Sequence, residues 1–310
     1  MSNNIKTILF HRQYLSYTGG HQKVRDYIAH TIAEPAFEPM LWLSNESNVR
    51  SGLFDEVEGL AYQKPYAPNK ADIAFLAGMD WDAYLPFFDP QQVKINLVQH
   101  VRHGDKTHPL FKFLSHKAIR ICVSDTVRKA IEPFANGPCI TIKMGHDLPR
   151  MKQVKKYELY ILATKQPELG TQIKSWALNR GYTVLMHEQV VEREVVHQAM
   201  AQSRVALVLP NKTEGFYLPG IEAMALADWA VVPDCIASRE YSARNANISM
   251  CQLNVEDCVK AVDVAFHRLD GWSRWINQWT GRRISYGYRL DTERARYQSV
   301  LSKLDKLWRA

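Results

Sequence analysis

Short apolar runs alternate with longer amphipathic segments along most of the chain. Residues 7–10 form the first apolar run, and residues 22–32 place apolar side chains at helical spacing. Turn-forming residues ending in Gly19 and Gly20 separate the two. Further apolar runs of strand length lie at residues 39–43, 73–77, 95–98, 119–123 and 139–142. This alternation predicts a parallel sheet covered by helices.

The alternation is interrupted once, over residues 145–157, which are polar and basic and have no apolar period. We predict a domain junction there. Beyond it the pattern restarts, with strands predicted at 159–163, 183–186, 205–209 and 230–232, and helices at 170–180, 193–203, 219–226, 256–270 and 291–309. The expected fold class is therefore α/β, with two Rossmann-like domains in tandem.

The composition agrees with a folded, two-domain protein. The chain has 310 residues, 46% of them hydrophobic and 23% charged, which excludes a disordered or low-complexity chain. Its apolar runs are too short to span a bilayer, and the N-terminus has no signal-peptide pattern, so we expect a cytoplasmic protein. The five cysteines are an odd count without C-x-x-C spacing, and we interpret them as reduced packing residues.

Positive charge is concentrated in two segments. The net charge is +7, yet residues 94–129 carry eight basic and two acidic side chains, and residues 272–310 carry nine basic and three acidic ones. Two such segments predict an anionic partner, such as a membrane surface, a lipid carrier, a nucleic acid or a phosphorylated substrate. The alternative is a pair of solvated helix faces.

The stretch from 210 to 225 carries the most specific chemistry. A predicted buried strand ends at Leu209, a loop carries Glu214, and Pro219 suits the first position of a helix whose first turn contains Glu222. Free backbone N–H groups at such a helix start favour a diphosphate, and the two carboxylates suit sugar and ribose hydroxyls. The alternative is a helix cap with an incidental loop glutamate.

Glu214 and Glu222, with Gly-Phe-x-Leu-Pro between them and Ala-Met-Ala after, resemble the E-x7-E signature of the retaining, GT-B-fold glycosyltransferases of group 1. Shorter motifs follow in the same order as in that family: Gly19-Gly20, His100 after a strand, Val-Ser-Asp at 123–125, Gly145 with Asp147, and Arg-Glu-Tyr at 239–241. The resemblance covers nearly the whole chain.

The resemblance implies an acceptor-binding N-terminal domain over 1–150 and a nucleotide-sugar domain over 151–285, with parallel sheets facing across a cleft. It also implies that residues 286–310 form a helix that packs back on the first domain. The implied activity is retaining, metal-independent transfer of a sugar from a nucleotide diphospho-sugar, most simply UDP- or GDP-linked, to an acceptor hydroxyl. This donor is a co-substrate, and no cofactor is expected.

The resemblance also assigns roles to residues of the donor site. Glu214 contacts the transferred sugar and Glu222 the nucleotide ribose. The loop of Gly215, Phe216, Tyr217 and Leu218 cradles sugar and phosphate with its backbone. We expect base contacts near His187, after a predicted strand.

In the first domain, Gly19 and Gly20 let the backbone approach the donor phosphate and the acceptor, because no side chain obstructs it. His100 is expected near the reacting sugar, the alternative being a surface imidazole, and Arg102 and His103 are the acceptor-binding candidates.

One departure from the family concerns the donor diphosphate. The family's Arg and Lys, spaced as G-R-x4-K-G, correspond here to Thr164 and Leu169, so both cations are missing. Lys165 could serve if the loop is shifted. The options are a rearranged phosphate site, which we expect, an unusual donor, or weak activity.

Asp80 and Asp82 have D-x-D spacing, but they lie in the first domain and are not expected to hold a metal.

The sequence does not decide which class of molecule is the acceptor. The basic segments suit a lipid-linked glycan at an anionic membrane, and equally modified DNA bases. The aromatic residues of the tail suit interfacial anchoring or base stacking, the commoner alternative being core packing; they are Trp272, Trp275, Trp279, Tyr286 and Tyr288. A non-catalytic GT-B subunit is a further alternative. An epimerase or phosphorylase on the same fold is another.

Overall fold

The computed structural model describes residues 5–16, 18–47, 52–55, 57–212 and 217–309. The chain divides into two compact units. The first comprises Met1–Gly145 and Leu290–Ala310, and the second comprises His146–Arg289.

The first unit contains a parallel sheet. Its described strands are β1 (Lys6–Arg12), β2 (Phe37–Leu43), β3 (Ala61–Tyr62), β4 (Ile73–Ala77), β5 (Val93–Val98), β6 (Ile119–Cys122) and β7 (Cys139–Thr141). They are ordered β3-β2-β1-β4-β5-β6-β7, and every pairing between neighbours is parallel. All five residues of β4 are buried, as expected for a strand covered on both faces.

Helices and 3-10 turns connect these strands. They are α1 (Gly19–Ile32), α2 (Asp80–Tyr84), α3 (Asp125–Ile131) and 3-10 segments that include Val101–Gly104 and Pro109–Ser115. The side chain of Thr18 caps α1 by accepting a hydrogen bond from the N–H of His21. Ser124 caps α3 in the same way.

The second unit repeats the architecture with five described strands. They are β8 (Tyr157–Leu162), β9 (Val184–His187), β10 (Ser203–Val208), β11 (Trp229–Pro233) and β12 (Ile248–Cys251), in the parallel order β12-β11-β10-β8-β9. The helices are α4 (Pro167–Asn179), α5 (Arg193–Ala201), α6 (Leu218–Leu226), α7 (Ser238–Tyr241), α8 (Val255–Asp270) and α9 (Arg274–Tyr286). Buried side chains pack on both faces of this sheet.

The end of the chain returns to the first unit. It forms α10 (Leu290–Leu301) and α11 (Leu304–Arg309) rather than the single helix predicted over 291–309. The rings of Tyr297 on α10 and Tyr27 on α1 contact each other edge to face, with 4.9 Å between their centroids, so α10 packs on α1. Glu293 adds a buried ion pair with Lys23, at 2.8 Å.

The predicted fold class is confirmed, since both units are parallel α/β sheets covered by helices. All five cysteines are free thiols, as expected. Among the described residues, no helix combines the length and apolarity needed to cross a membrane.

Candidate functional site

Two loops meet at the carboxyl edge of the second unit's sheet. Strand β8 ends at Leu162 and β10 at Val208, and these strands are direct neighbours. The side-chain amide of Gln166, after β8, donates to the Oδ1 of Asn211, after β10, at 3.1 Å. Ligands of parallel α/β sheets bind outside this edge, so the two loops mark the candidate site of this unit.

Lys165 lies at this edge beside Tyr217. Its Nζ is 5.3 Å from the centroid of the Tyr217 ring, and the Tyr217 side chain is buried. Thr164, which occupies the family's arginine position, is half-buried in the same loop. The structure therefore brings together three residues predicted for the donor site. Glu214, Gly215 and Phe216 lie outside the described residues.

Helix α6 starts next to Tyr217, and its first turn is held tightly. Leu218 and Pro219 begin the helix, as the sequence predicts. A Cβ at Gly220 would lie 2.1 Å from the Oη of Tyr241, so a glycine is needed for this close approach. The Tyr241 hydroxyl donates to the carbonyl oxygen of Tyr217 at 3.3 Å.

Glu222, one turn into α6, is buried in a cluster of hydrogen bonds. Its Oε1 accepts from the Nε and Nη2 of Arg193 at 3.0 and 2.9 Å, and the Nε2 of His197 lies 2.7 Å away. Arg193 also donates to the backbone oxygen of Asp147 at 2.9 Å. The carboxylate is therefore held in one orientation by two partners that the sequence analysis did not single out. Their i, i+4 spacing on one face of α5 is the signal that could have identified them.

His187 is the last residue of β9, where base contacts were predicted. Its Nδ1 lies 3.0 Å from the hydroxyl of Tyr160. Burial lowers the pKa of His187, which favours the uncharged form of its ring. Burial, and then the charge of Glu222, raise the pKa of Tyr160, so its hydroxyl keeps its proton.

The first unit has a cavity of about 870 Å³ at the carboxyl ends of β1, β4 and β5. Four of the predicted site residues line it, namely Gly20, His100, Arg102 and His103. Gly19 is not part of the lining, but a Cβ there would meet no atom within 4 Å.

An ion pair between Arg12 and Asp80 lies in the wall of this cavity. The Nη1 of Arg12 is 3.0 Å from Asp80, and its Nε donates to the Nδ1 of His21 at 3.2 Å. Burial raises the pKa of Asp80 to about 6, although Arg12 opposes the rise. Because Asp80 pairs with Arg12, and Asp82 with Lys112 at 2.9 Å, the D-x-D pair has cationic partners. The described residues hold no cluster of three or more His, Cys, Asp or Glu suited to a metal.

Burial favours the uncharged form of His100 and His103, which line the cavity. His100 follows β5, and its Nδ1 accepts from the backbone N–H of Arg102 at 3.1 Å. Burial, followed by the charge of Arg102, lowers the pKa of His100, and the same two causes lower that of His103 to about 3. His100 lines the cavity rather than standing on open surface. Because its Nδ1 accepts from Arg102, the neutral ring carries its proton on Nε2 and can donate a hydrogen bond from that atom.

No family model matches the chain, and no curated protein matches it. Solved structures do. HepE of Anabaena in complex with UDP has a TM-score of 0.71 at 12% identity, over 96% of this chain and 100% of that one. A glycosyltransferase from Rickettsia africae has a TM-score of 0.70 at 12% identity, over 98% and 99% of the two chains.

Sucrose-phosphate synthase from Thermosynechococcus elongatus has a TM-score of 0.64 at 12% identity, over 97% of this chain and 99% of that one. HepE is also solved with UDP-glucose, at a TM-score of 0.67 and 11% identity. The likeness to these glycosyltransferases extends over nearly the full length of each chain, and it shows that this chain has the GT-B fold.

Proposed function

We propose that the protein is a glycosyltransferase that moves a sugar from a nucleotide diphospho-sugar to an acceptor hydroxyl, with retention at the anomeric carbon and without a metal. The full-length likeness to HepE, which is solved with UDP and with UDP-glucose, is the observation that carries the proposal. The order of the sequence motifs agrees with it, because they resemble those of the retaining group 1 glycosyltransferases.

The donor diphosphate binds at the carboxyl edge of the second unit's sheet. The start of α6 offers the positive end of a helix dipole there. Lys165 supplies a cation to this edge from the loop after β8, next to Tyr217. In this arrangement Lys165 takes over the charge neutralisation that Thr164 and Leu169 cannot provide.

Glu222 binds the ribose of the donor. A carboxylate has about four acceptor positions, so the donors from Arg193 and His197 leave capacity for ribose hydroxyls. Arg193 and His197 fix the orientation of the carboxylate before the nucleotide arrives, which reduces the entropy lost on binding. His187 lies beside the base, and Glu214 contacts the transferred sugar.

The acceptor binds in the cavity of the first unit. Gly20 and Arg102 line it, together with His100 and His103, and the Arg12–Asp80 pair offers both a donor and an acceptor of hydrogen bonds. Such a mixture of polar groups suits a saccharide with many hydroxyls. A glycan or lipid-linked saccharide is therefore the acceptor that we propose, with His100 beside the reacting sugar.

A thermal-shift panel tests the donor assignment. UDP, GDP, CDP, ADP and their sugar conjugates are added to the wild-type chain, to Glu222→Ala and to Glu194→Ala, an exposed control on α5. One nucleotide should raise the melting temperature of the wild type and of the control but not of Glu222→Ala, because only a bound ligand stabilises the folded state. No shift with any nucleotide, or an equal shift in Glu222→Ala, would overturn the assignment.

A further inference from the structure

Helix α9 carries most of its large apolar side chains on the outside, the exception being Ile284, which is half-buried against the core of the second unit. Trp275 and Trp279 are 66% and 62% exposed, Ile276 is 55% exposed, and Trp272, just before the helix, is 87% exposed. At 100° per residue these positions share one face with Tyr286. We refer to Trp272, Trp275, Ile276, Trp279 and Tyr286 as the aromatic face.

The opposite face of α9 is small and polar, and it is the buried one. It consists of Asn277, Gly281 and Ser285. The hydroxyl of Ser285 donates to the carbonyl oxygen of Ile221 on α6 at 3.3 Å. A Cβ at Gly281 would lie 1.7 Å from the Oδ1 of Asn247, so the helix packs too closely for larger side chains.

The burial of each aromatic residue of the tail shows whether it packs in the core or is exposed for a partner. Core packing is correct for Tyr288, which is 2% exposed, and wrong for the aromatic face. Amphipathic helices of globular proteins bury their apolar side, so the reversed arrangement points to a partner outside the second unit.

The charges around the aromatic face indicate that the partner is negatively charged. Residues 271–289 contain four arginines and no acidic residue. The guanidinium of Arg274 lies 4.7 Å from the ring of Trp275, and that of Arg283 lies 5.5 Å from Trp279. Positively charged groups and aromatic rings therefore lie side by side on the surface of this helix.

A groove of about 420 Å³ borders the same helix. Its cationic lining residues are Lys152, Lys155, Arg204, Arg274 and Arg282. The lining includes one carboxylate, Asp228, which is 3.3 Å from the Nζ of Lys155. Because Lys155 already pairs with Asp228, and Arg204 with Asp270, a phosphate would be attracted to this groove mainly by Lys152, Arg274 and Arg282.

We propose that α9 docks onto the surface of an anionic lipid bilayer. Tryptophan and tyrosine favour the boundary between headgroups and acyl chains, and the aromatic face would lie there. The arginines and the groove would bind lipid phosphates. The proposal does not depend on the donor site, because none of these residues belongs to it.

Two other partners fit less well. A symmetric dimer would place the aromatic face against its own copy, and the arginines of both copies would meet without a carboxylate from residues 271–289. Single-stranded nucleic acid binds along grooves in which bases stack on successive aromatic rings, whereas these rings stand on the outer side of a helix.

Vesicle flotation tests the proposal. The vesicles contain phosphatidylcholine alone, or phosphatidylcholine with phosphatidylglycerol, each with brominated acyl chains that quench nearby tryptophan. The wild type should float with the anionic vesicles and lose tryptophan fluorescence. Trp275→Ser/Trp279→Ser should lose both effects, and Arg282→Glu/Arg283→Glu should reduce binding at least tenfold at low salt.

The controls separate docking from charge and from folding. Arg180→Glu/Arg244→Glu makes the same change in net charge at exposed positions outside α9 and its groove, and should float like the wild type. The tryptophan and arginine variants alter exposed side chains and should keep the wild-type melting temperature. Glu222→Ala should still float, so failure of the donor site and failure of this proposal can be told apart.

Three results would overturn the proposal. The first is no flotation with anionic vesicles, and the second is flotation without quenching. The third is that the protein does not bind vesicles but self-associates or binds single-stranded DNA, and that Trp275→Ser/Trp279→Ser abolishes this association.

Discussion

Arg193 and Glu222 are joined by two hydrogen bonds that end on one oxygen, with Nε and Nη2 of the guanidinium at 3.0 and 2.9 Å from Oε1. The side chain of Glu222 is 4% exposed, whereas that of Arg193 is 42% exposed. The buried charge of Glu222 is therefore compensated by a cation that still reaches solvent. This pair connects the start of α5 to the first turns of α6.

Replacing Arg193 tests whether this pair prepares Glu222 for the ribose. Arg193→Met leaves the buried carboxylate with His197 as its remaining described partner, and should raise the Kd of the preferred nucleotide about tenfold, or ~1.4 kcal/mol. Because the Glu222 carboxylate is buried, removing its cationic partner should also cost up to about 3–5 kcal/mol of folding stability. Calorimetric titration and urea unfolding measure the two effects. Nucleotide affinity equal to that of the control Glu194→Ala would contradict the positioning role.

Gly220 provides a test of the close packing at the start of α6. Gly220→Ala places a Cβ against Tyr241 and should cost about 1–3 kcal/mol of stability, as overpacking does. Gly19→Ala is the matched control, because a Cβ at Gly19 meets nothing within 4 Å and should not destabilise the fold. Urea unfolding compares the two variants. An equal, small effect of both would mean that Tyr241 moves aside freely.

Much of the fold could be predicted because buried parallel strands are continuous apolar runs. The predicted strand over 73–77 coincides with β4, and the one over 205–209 overlaps β10. The edge strand β12 was missed, since the polar Ser249 interrupts its apolar run. Helix α9 was missed for a different reason. Its buried side consists of Asn277, Gly281 and Ser285, so its regularly spaced apolar residues do not lie on the side that packs against the second unit.

The candidate site was predictable where its residues are close in sequence. Tyr217 and Glu222 belong to one motif, and their place at the start of α6 follows from Pro219. Pairs that depend on topology could not be foreseen. Arg12 meets Asp80 only because β1 and β4 are neighbours in the sheet, and neither residue carries a local signal for the other.

Buried histidines should make the protein sensitive to mild acid. Burial lowers the pKa of His103 to about 3 from 6.5, so the unfolded chain binds a proton in this range that the folded chain does not. Stability is therefore fully present above pH 6.5 and decreases as the pH falls towards 3. Each such histidine contributes up to about 1.4 kcal/mol per pH unit.

Urea unfolding between pH 4.5 and 8 checks this dependence, the range being about that of histidine titration. His103→Gln should show a shallower decrease of stability with acid than the wild type. His267→Gln changes an exposed histidine of α8 and should leave the slope unchanged. Equal slopes in all three proteins would mean that His103 is not buried in its neutral form.

The pair of Lys23 and Glu293 should dominate the attachment of α10 to the first unit. The Nζ of Lys23 donates to Glu293 at 2.8 Å and to the carbonyl oxygen of Gly145 at 2.7 Å, and Glu293 also accepts from the N–H of Gly145 at 3.0 Å. Burial alone would raise the pKa of Glu293, but hydrogen bonds from His30, Lys23 and Gly145 outweigh it and lower the pKa. This carboxylate therefore contributes stability above its ordinary pKa of 4.5, and the contribution is lost as the pH falls through its lower folded value.

Glu293→Gln should accordingly cost about 1.5–3 kcal/mol at neutral pH, because it removes one of two buried carboxylates that pair with Lys23, the other being Asp26 at 2.7 Å. Asp305→Asn is the matched control: it breaks an exposed pair with Lys6, also formed between the end and the start of the chain, and should cost less than about 1 kcal/mol. The double variant Lys23→Met/Glu293→Leu should not recover the loss, because it leaves the buried carboxylate of Asp26 without its cation. Urea unfolding measures all three variants, and similar losses for Glu293→Gln and Asp305→Asn would show that burial adds nothing to the Lys23–Glu293 pair.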